Sequence, residues 1–532
     1  MSNSSDRGRK IIFVLGWSVL LALLSSIGLF VAVATETTSG MHWTGSQLMS
    51  PVDMPVYLNY IGQIKGGNRL TENFFTTEIA SPTFNVLWYT VGIVSRVARI
   101  SPLAAFHLVR LALIPAFCWT AVWAVEDFLP RRKERNIALT LFFLGSGLGG
   151  ITRRLACQDP TCGSGDYFPP DTWVAEFLPL QSLTFSPHFV ASWILLLASV
   201  SCCYKAYTRD SMGLAVLGGL LALMLFQFHP YYVPLVWGVA TAVFTHASLH
   251  GERTRAAFVH CLLFVGISAA SVLYHLWIAI ATANSKWIFG ATITPSPVLL
   301  TIGLGAFINA SYRGIILLKA RETGESLRLH FLLLLPVLHF VLAYSPLSFS
   351  RRFLEGLLFP LAVLSAPAVA AFLTHRSIGI RTARLVAATA LFGSTTIDTI
   401  DRQVEVLSNT ARRQFFVGPL EYDALMWMGA HLPSDAVVLS SIESGSLIAG
   451  LAIHRVFAGH WAQTIFRPGK VAEIRSFFRS DDPDTQLRYL RARGITHVFV
   501  GPSEIALGVH DQAFRTLKNI YSNGPYTIFR VP

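Results

Sequence analysis

The chain has 532 residues, of which 52% are hydrophobic and only 14% charged, with a mean hydropathy of +0.50. Soluble domains carry about 25% charged residues, so this composition excludes an intrinsically disordered chain and a soluble globule. The net charge of +12 comes from 42 basic and 30 acidic residues; they sit in short clusters between apolar runs, a membrane pattern rather than a nucleic-acid-binding stripe.

A bilayer core needs about 20 apolar residues per helix. On that scale the candidate spans are 11–34, 103–127, 136–152, 187–204, 212–228, 231–247, 257–282, 295–318, 329–344, 354–374 and 385–397. The first follows Arg7, Arg9 and Lys10 and ends in Ala-Val-Ala, as a cleavable signal peptide would. Its apolar stretch is longer than a usual signal core, and many spans follow, so a retained helix is expected.

Segment 83–98 reads either as a span or as an amphipathic helix lying on the membrane surface. Charge separates the two. If it lies flat, the basic loops 130–135, 205–210, 248–255, 319–328 and 375–384 join the N-terminus on the cytoplasmic side. These segments then hold seventeen basic and six acidic residues, nearly the whole net charge. Loop 35–102, loop 153–186, the turn 229–230, loop 283–294, stretch 345–353 and the tail 398–532 face outward. Cys157 and Cys162 flank a short Asp-Pro segment in one of these loops, and they could pair in an oxidising compartment. The six cysteines show no zinc-type spacing.

Past residue 400 the long apolar runs stop. Short β-rich runs at 436–440, 496–501 and 526–531 alternate with helical stretches such as 421–430 and 470–479. A small extracytoplasmic α/β domain over 401–532 is expected, after a transmembrane domain over 1–400.

Among the outer residues, Asp53 lies in SPVDMPVYLNYIGQIKGG, bracketed by Pro51 and Pro55, with Tyr57, Tyr60 and Gln63 following at helical spacing. A carboxylate held there can serve as general base towards a hydroxyl; the competing reading is a helix N-cap. Glu78, Glu176, His188 and His229 fall at outer helix ends, where ionisable groups are costly and point to function. Each histidine read singly is also compatible with a capped structural role. Two histidines with carboxylates could bind a metal, although nothing in their spacing demands it. Arg351 and Arg352 lie outside, against the charge bias. Paired guanidinium groups suit a phosphate or diphosphate, the alternative being snorkelling or an ion pair with Glu355. In the tail, His460, Trp461 and Gln463 of GHWAQT could contact a sugar or a membrane surface, or simply form a turn. The glycine-rich GSGLGG at 145–150 lacks the Lys-Ser/Thr of a phosphate-binding loop and reads as close helix packing.

A first helix, a long outer loop with Asp53 in an Asp-x-x-Val-Tyr pattern, and an interfacial helix near Ser81-Pro82 resemble the GT-C superfamily of multi-span glycosyltransferases. The stretches Pro-His-Phe, His-Pro-Tyr-Tyr and Arg-Arg-Phe-x-Glu-Gly and the α/β tail extend the resemblance over the whole chain. The resemblance implies a polytopic α-helical membrane protein of about eleven spans. It implies an outward-facing site that takes a polyprenyl-phosphate-linked sugar and a glycan, lipid or protein acceptor. Asp53 matches the catalytic base; Arg351 or Arg352 would hold the carrier phosphate. Glu78, Glu176, His188, His229 and Tyr57 would line the cavity. Met54 and Pro55 follow Asp53 where some members carry a second acid, so a divalent cation is a candidate cofactor that the residues do not require. The rival readings are a transporter or flippase for a lipid-linked saccharide, or a non-catalytic subunit of envelope-polysaccharide assembly. Internal repeats, frequent in transporters, are not seen.

Overall fold

The computed structural model describes residues 2–49, 51–78, 81–162, 165, 167–250, 254–281, 291–321, 327–509 and 514–532, with backbone alone for 2–6. Parts of five expected loops (35–102, 153–186, 248–255, 283–294 and 319–328) and of the expected tail lie outside the described residues.

Every expected span contains helix, but not every one holds a single helix of full membrane length. Among the described residues, seven helices are long and apolar enough to cross a membrane: Arg7–Ser25, Pro102–Val125, Pro187–Thr208, Pro230–Leu249, Thr254–Ala281, Pro297–Lys319 and Ser350–Leu373. With this content the chain is an integral membrane protein. Helices Met212–Phe228 and Leu327–Ala343 are apolar but have 17 residues each. Helix Ile378–Leu407 is long, but its second half carries Asp398, Asp401 and Arg402, which keeps its apolar part short. The expected first span is two helices, Ser2–Ser25 and Ile27–Ser39, broken at Ser26. The helix expected at 83–98 is Val86–Val97. Its twelve residues reach about 18 Å, well short of a bilayer core.

The span expected at 136–152 is broken, and the reason lies in GSGLGG. One helix ends at Leu144 and another begins at Gly149. Gly147 takes φ +148°, a conformation that costs glycine little. The glycines make room for neighbouring helices, as expected, and also for a carboxylate: a Cβ on Gly147 would come within 2.1 Å of the Gly303 carbonyl, and one on Gly150 within 2.7 Å of the Ser394 carbonyl. A Cβ on Gly149 or Gly303 would come within 2.4 Å of the Asp171 carboxylate oxygens. Asp171 Oδ2 instead accepts from Gly149 N (3.0 Å) and Thr395 Oγ1 (2.6 Å). Burial pushes the Asp171 carboxyl up to about 6, against the lowering effect of these two bonds.

The chain divides into two compact units that do not follow chain order. The first comprises Met1–Gly28, His107–Trp277 and Ala291–Val406; the second comprises Leu29–Phe106, Ile278–Gly290 and Leu407–Pro532. The composition changes near residue 400, but the chain contacts place Leu29–Phe106, which includes the expected outer loop 35–102, in the same unit as Leu407–Pro532.

In the first unit, helices bury a continuous apolar core rich in phenylalanine, including Phe117, Phe142, Phe143, Phe177 and Phe307. A polar knot pins one of its loops. Arg153 and Arg154 both bond Asp398 at 2.7 Å, and Arg402 donates to the carbonyls of Pro160 and Cys162. Cys157 and Cys162 are joined there as a disulfide, their Cα atoms 6.3 Å apart.

The second unit holds a five-stranded sheet. Its strands are β3 Val437–Leu439, β4 Arg455–Val456, β5 His497–Val500, β6 Lys518–Asn523 and β7 Tyr526–Arg530, in the order β4-β3-β5-β7-β6. The β4-β3-β5 pairs are parallel and the β5-β7-β6 pairs antiparallel. Strands β3 and β5 are short Val-rich runs, as parallel strands buried on both faces require. The outer loop joins this unit through a second ladder, in which β1 (His42–Trp43) pairs with β2 (Phe416–Val417). An isolated bridge links Thr76 to Ala458.

Candidate functional site

Asp53 ends a short 3₁₀ turn, Pro51–Asp53, and occupies the N-cap position of helix Met54–Lys65. The prolines fix this entry, because Pro55 has no N–H to satisfy in the first turn. The side chain does not cap the helix. Asp53 Oδ1 instead meets His460 Nε2 at 3.0 Å. His460 Nδ1 accepts from Ala462 N at 3.2 Å. That bond leaves the ring proton of a neutral imidazole on Nε2, where it donates to Asp53. His460 is 4% exposed and the Asp53 side chain 25% exposed. Asp53 Oδ2 takes no hydrogen bond from a described residue. The turn that carries His460 is braced by Thr464, whose hydroxyl accepts from Gly459 N and donates to Phe75 O, both at 3.0 Å.

Glu78 belongs to the same unit and is held by a different tail residue. Lys470 Nζ donates to Glu78 Oε2 at 2.6 Å, to Thr76 Oγ1 at 2.9 Å and to the Phe457 carbonyl at 2.8 Å. Thr76 also donates to Glu78. Burial works to raise the Glu78 pKa, but the bonds from Lys470 and Thr76 outweigh it and hold the carboxyl below its ordinary value. Burial lowers the Lys470 pKa, with Glu78 opposing. Glu78 is thus engaged in a structural ion pair. Tyr57 stacks on Trp88 at 4.8 Å and on Phe106 at 6.1 Å, which makes it part of an aromatic stack.

The first unit brings together Glu176, Arg351 and Arg352. Arg352 Nη1 lies 2.9 Å and Arg351 Nε 3.7 Å from Glu176 Oε1. The arginines' acid partner is therefore Glu176 and not Glu355, the neighbour in sequence. Arg351 lies over the Trp173 ring at 4.8 Å and Arg352 over Tyr231 at 5.7 Å. These cation–π contacts hold both guanidinium planes. Glu355 is fully buried and accepts from Ser192 and Tyr232. His188 bonds Ser186 Oγ at 2.5 Å, and its ring lies 5.2 Å from that of His229. His229 is buried, and its Nδ1 has no hydrogen-bond partner among the described residues. A buried nitrogen without a partner is rare in native proteins and calls for an explanation.

Lys470, Trp173 and Ser192 were missed from the sequence. A buried lysine, an ordinary tryptophan and a serine within a span carry no signal until the chain is folded. His460 stood out in the sequence as a sugar or membrane contact or a turn residue, but not as the partner of Asp53. Among the described residues no three His, Cys, Asp or Glu side chains gather in a way that could hold a metal ion. Asp53 and His460 alone are too small a donor set to fit one.

No family model matches the sequence, and no curated protein matches it. Solved structures do. An oligosaccharyltransferase from Archaeoglobus fulgidus, tethered with an acceptor peptide, superposes with a TM-score of 0.52 at 12% identity over 98% of this chain and 74% of its own. ArnT from Cupriavidus metallidurans, in the apo state, gives 0.54 at 10% identity, covering 97% and 98%. The arabinofuranosyltransferase AftD from Mycobacteria gives 0.55 at 14% identity, covering 96% of this chain and 40% of AftD. One ArnT structure is bound to undecaprenyl phosphate, and one structure of the Archaeoglobus enzyme contains a dolichol-phosphate. All three are GT-C superfamily glycosyltransferases, and the fold of this chain is the GT-C fold.

Proposed function

We propose that the chain is a membrane glycosyltransferase that moves a sugar from a polyprenyl-phosphate donor to an acceptor hydroxyl on the extracytoplasmic face. Asp53 carries the reading. It stands at a helix N-cap without capping, is held by a neutral imidazole through one oxygen, and keeps the other oxygen clear of described partners. Such a carboxylate is oriented and partly solvated, as a general base must be. The shared fold supports the class.

The roles follow from the chemistry. Asp53 takes the proton of the acceptor hydroxyl. The acceptor oxygen forms a bond to the anomeric carbon as the bond from that carbon to the phosphate oxygen breaks. The electron pair leaves with the carrier phosphate, and the anomeric centre inverts. Arg351 and Arg352 offset the charge that develops on the phosphate. Glu176 is their partner at rest, and Trp173 and Tyr231 keep them in place. The unpartnered His229 Nδ1 suits a polar group of the donor. The donor sugar is a hexose or pentose.

The test uses purified protein in proteoliposomes, a panel of radiolabelled polyprenyl-phosphate monosaccharides and a membrane extract as acceptor source. Labelled product that is lost in Asp53→Asn and reduced in Arg351→Ala, with folding intact, supports the reading. Full transfer by Asp53→Asn removes the base assignment. Labelling unchanged in both variants points instead to transport or to a non-catalytic role.

A further inference from the structure

The first unit contains a recess of about 680 Å³, lined by residues of helices Ser2–Ser25, Pro102–Val125 and Arg132–Leu144 and by Glu126. This volume lies within the range of small-molecule sites. Five basic side chains face it: Arg7, Arg9, Lys10, Arg132 and Arg135. Lys10 is committed, bonded to Glu126 at 2.6 Å and lying over Trp119. None of the four arginines makes an ion pair with a described residue. The lining also has an apolar part that includes Phe13, Trp119 and Leu139, with Phe13 and Leu139 one helical turn beyond Arg9 and Arg135. Beside it Ile12 and Leu15 are exposed along the first helix, in surface that only acyl chains would cover favourably.

Charge bias alone requires basic residues on one side of the membrane, spread over open loops. It does not require four unpaired guanidinium groups around one recess with an apolar wall. We infer that this recess binds an anionic phospholipid, its phosphate among the arginines and its proximal acyl chain against Phe13, Trp119 and Leu139. Guanidinium groups match phosphate oxygens in geometry and charge, and basic recesses between membrane helices suit such headgroups. The apolar wall argues for a lipid over free phosphate, which would leave it uncovered. The inference stands apart from the transferase reading, since no residue is shared with it.

The experiment is native mass spectrometry of the detergent-purified protein titrated with phosphatidylglycerol or phosphatidylcholine. Wild type is expected to bind phosphatidylglycerol at least about fivefold more tightly, and the double variant Arg132→Gln/Arg135→Gln to lose that preference. Arg132→Lys/Arg135→Lys, which keeps the charge, is expected to retain most of it. Equal binding of the two lipids by wild type overturns the inference without recourse to any variant. Displacement of phosphatidylglycerol by an equal concentration of inorganic phosphate overturns the lipid assignment in favour of a free-phosphate site.

Discussion

His460 Nε2 lies 3.0 Å from Asp53 Oδ1, although 407 residues separate them in sequence. The backbone N–H of Ala462 selects the imidazole tautomer, and the imidazole orients the carboxylate. His460 is therefore a positioning residue for the proposed base. His460→Ala is expected to lower kcat about ten- to hundredfold with little change in donor KM, because orientation and not binding is lost. Asp53→Asn should cost about 10²–10⁴-fold in kcat. Steady-state kinetics of both variants decide the matter; a His460→Ala effect confined to KM counts against positioning.

Arg352 makes the shorter contact with Glu176, and Arg351 the longer. A charge-assisted hydrogen bond is worth about 1.5–3 kcal/mol. Arg352→Ala should therefore lower kcat/KM for the donor about tenfold or more, and Arg351→Ala by less, because the charge they offset develops as the phosphate leaves. Donor titration of each variant at saturating acceptor is the measurement, and equal effects would contradict the ranking.

Glu78 is held below its ordinary value of 4.5, chiefly by Lys470 and Thr76 acting against burial. A depressed carboxylate contributes stability that is present above the unfolded value and is lost as pH falls through the folded one. Wild type should therefore lose more stability than Glu78→Gln on acidification below about pH 4.5. At pH 7 the variant should be weaker by about 1–3 kcal/mol, because Lys470 stays buried with one partner fewer. Thermal denaturation in detergent from pH 3 to 7 tests both.

Asp171 has the opposite sign. Its folded value, about 6, stands above the ordinary 3.8. Its contribution is complete below pH 3.8 and is lost as pH rises through 6, at most about 3 kcal/mol. Asp171→Asn should flatten the dependence of melting temperature on pH between about 4 and 6.5. A slope unchanged from wild type would show that Asp171 titrates normally.

Of six cysteines, Cys118, Cys202, Cys203 and Cys261 are free and two are bonded. Maleimide labelling of the denatured, unreduced protein should add four groups, and six after reduction. Loop-closure entropy for so short a loop amounts to about 2 kcal/mol, so Cys157→Ser with Cys162→Ser should lower the melting temperature without abolishing folding.

Much of the architecture was legible in the chain itself. Apolar runs of membrane length, their basic flanks and the change of composition near residue 400 are local properties, and hydropathy reads local properties directly. The β-rich runs at 436–440, 496–501 and 526–531 lie over strands β3, β5 and β7 for the same reason. Asp53 stood out because two prolines frame it, and Arg351 and Arg352 because they oppose the charge bias. The partners of these residues were decided only by tertiary structure. Glu176, not Glu355, joins the arginines; Lys470 takes up Glu78; GSGLGG seats the Asp171 carboxylate and breaks a helix that its hydropathy would continue. Each of these is a contact between segments remote in sequence, settled by how a buried charge finds its partner, and residue spacing carries no record of that. The same holds for the +12 net charge. Its sign and clustering predict an orientation in a membrane, but only the folded helices bring four of those arginines around one recess.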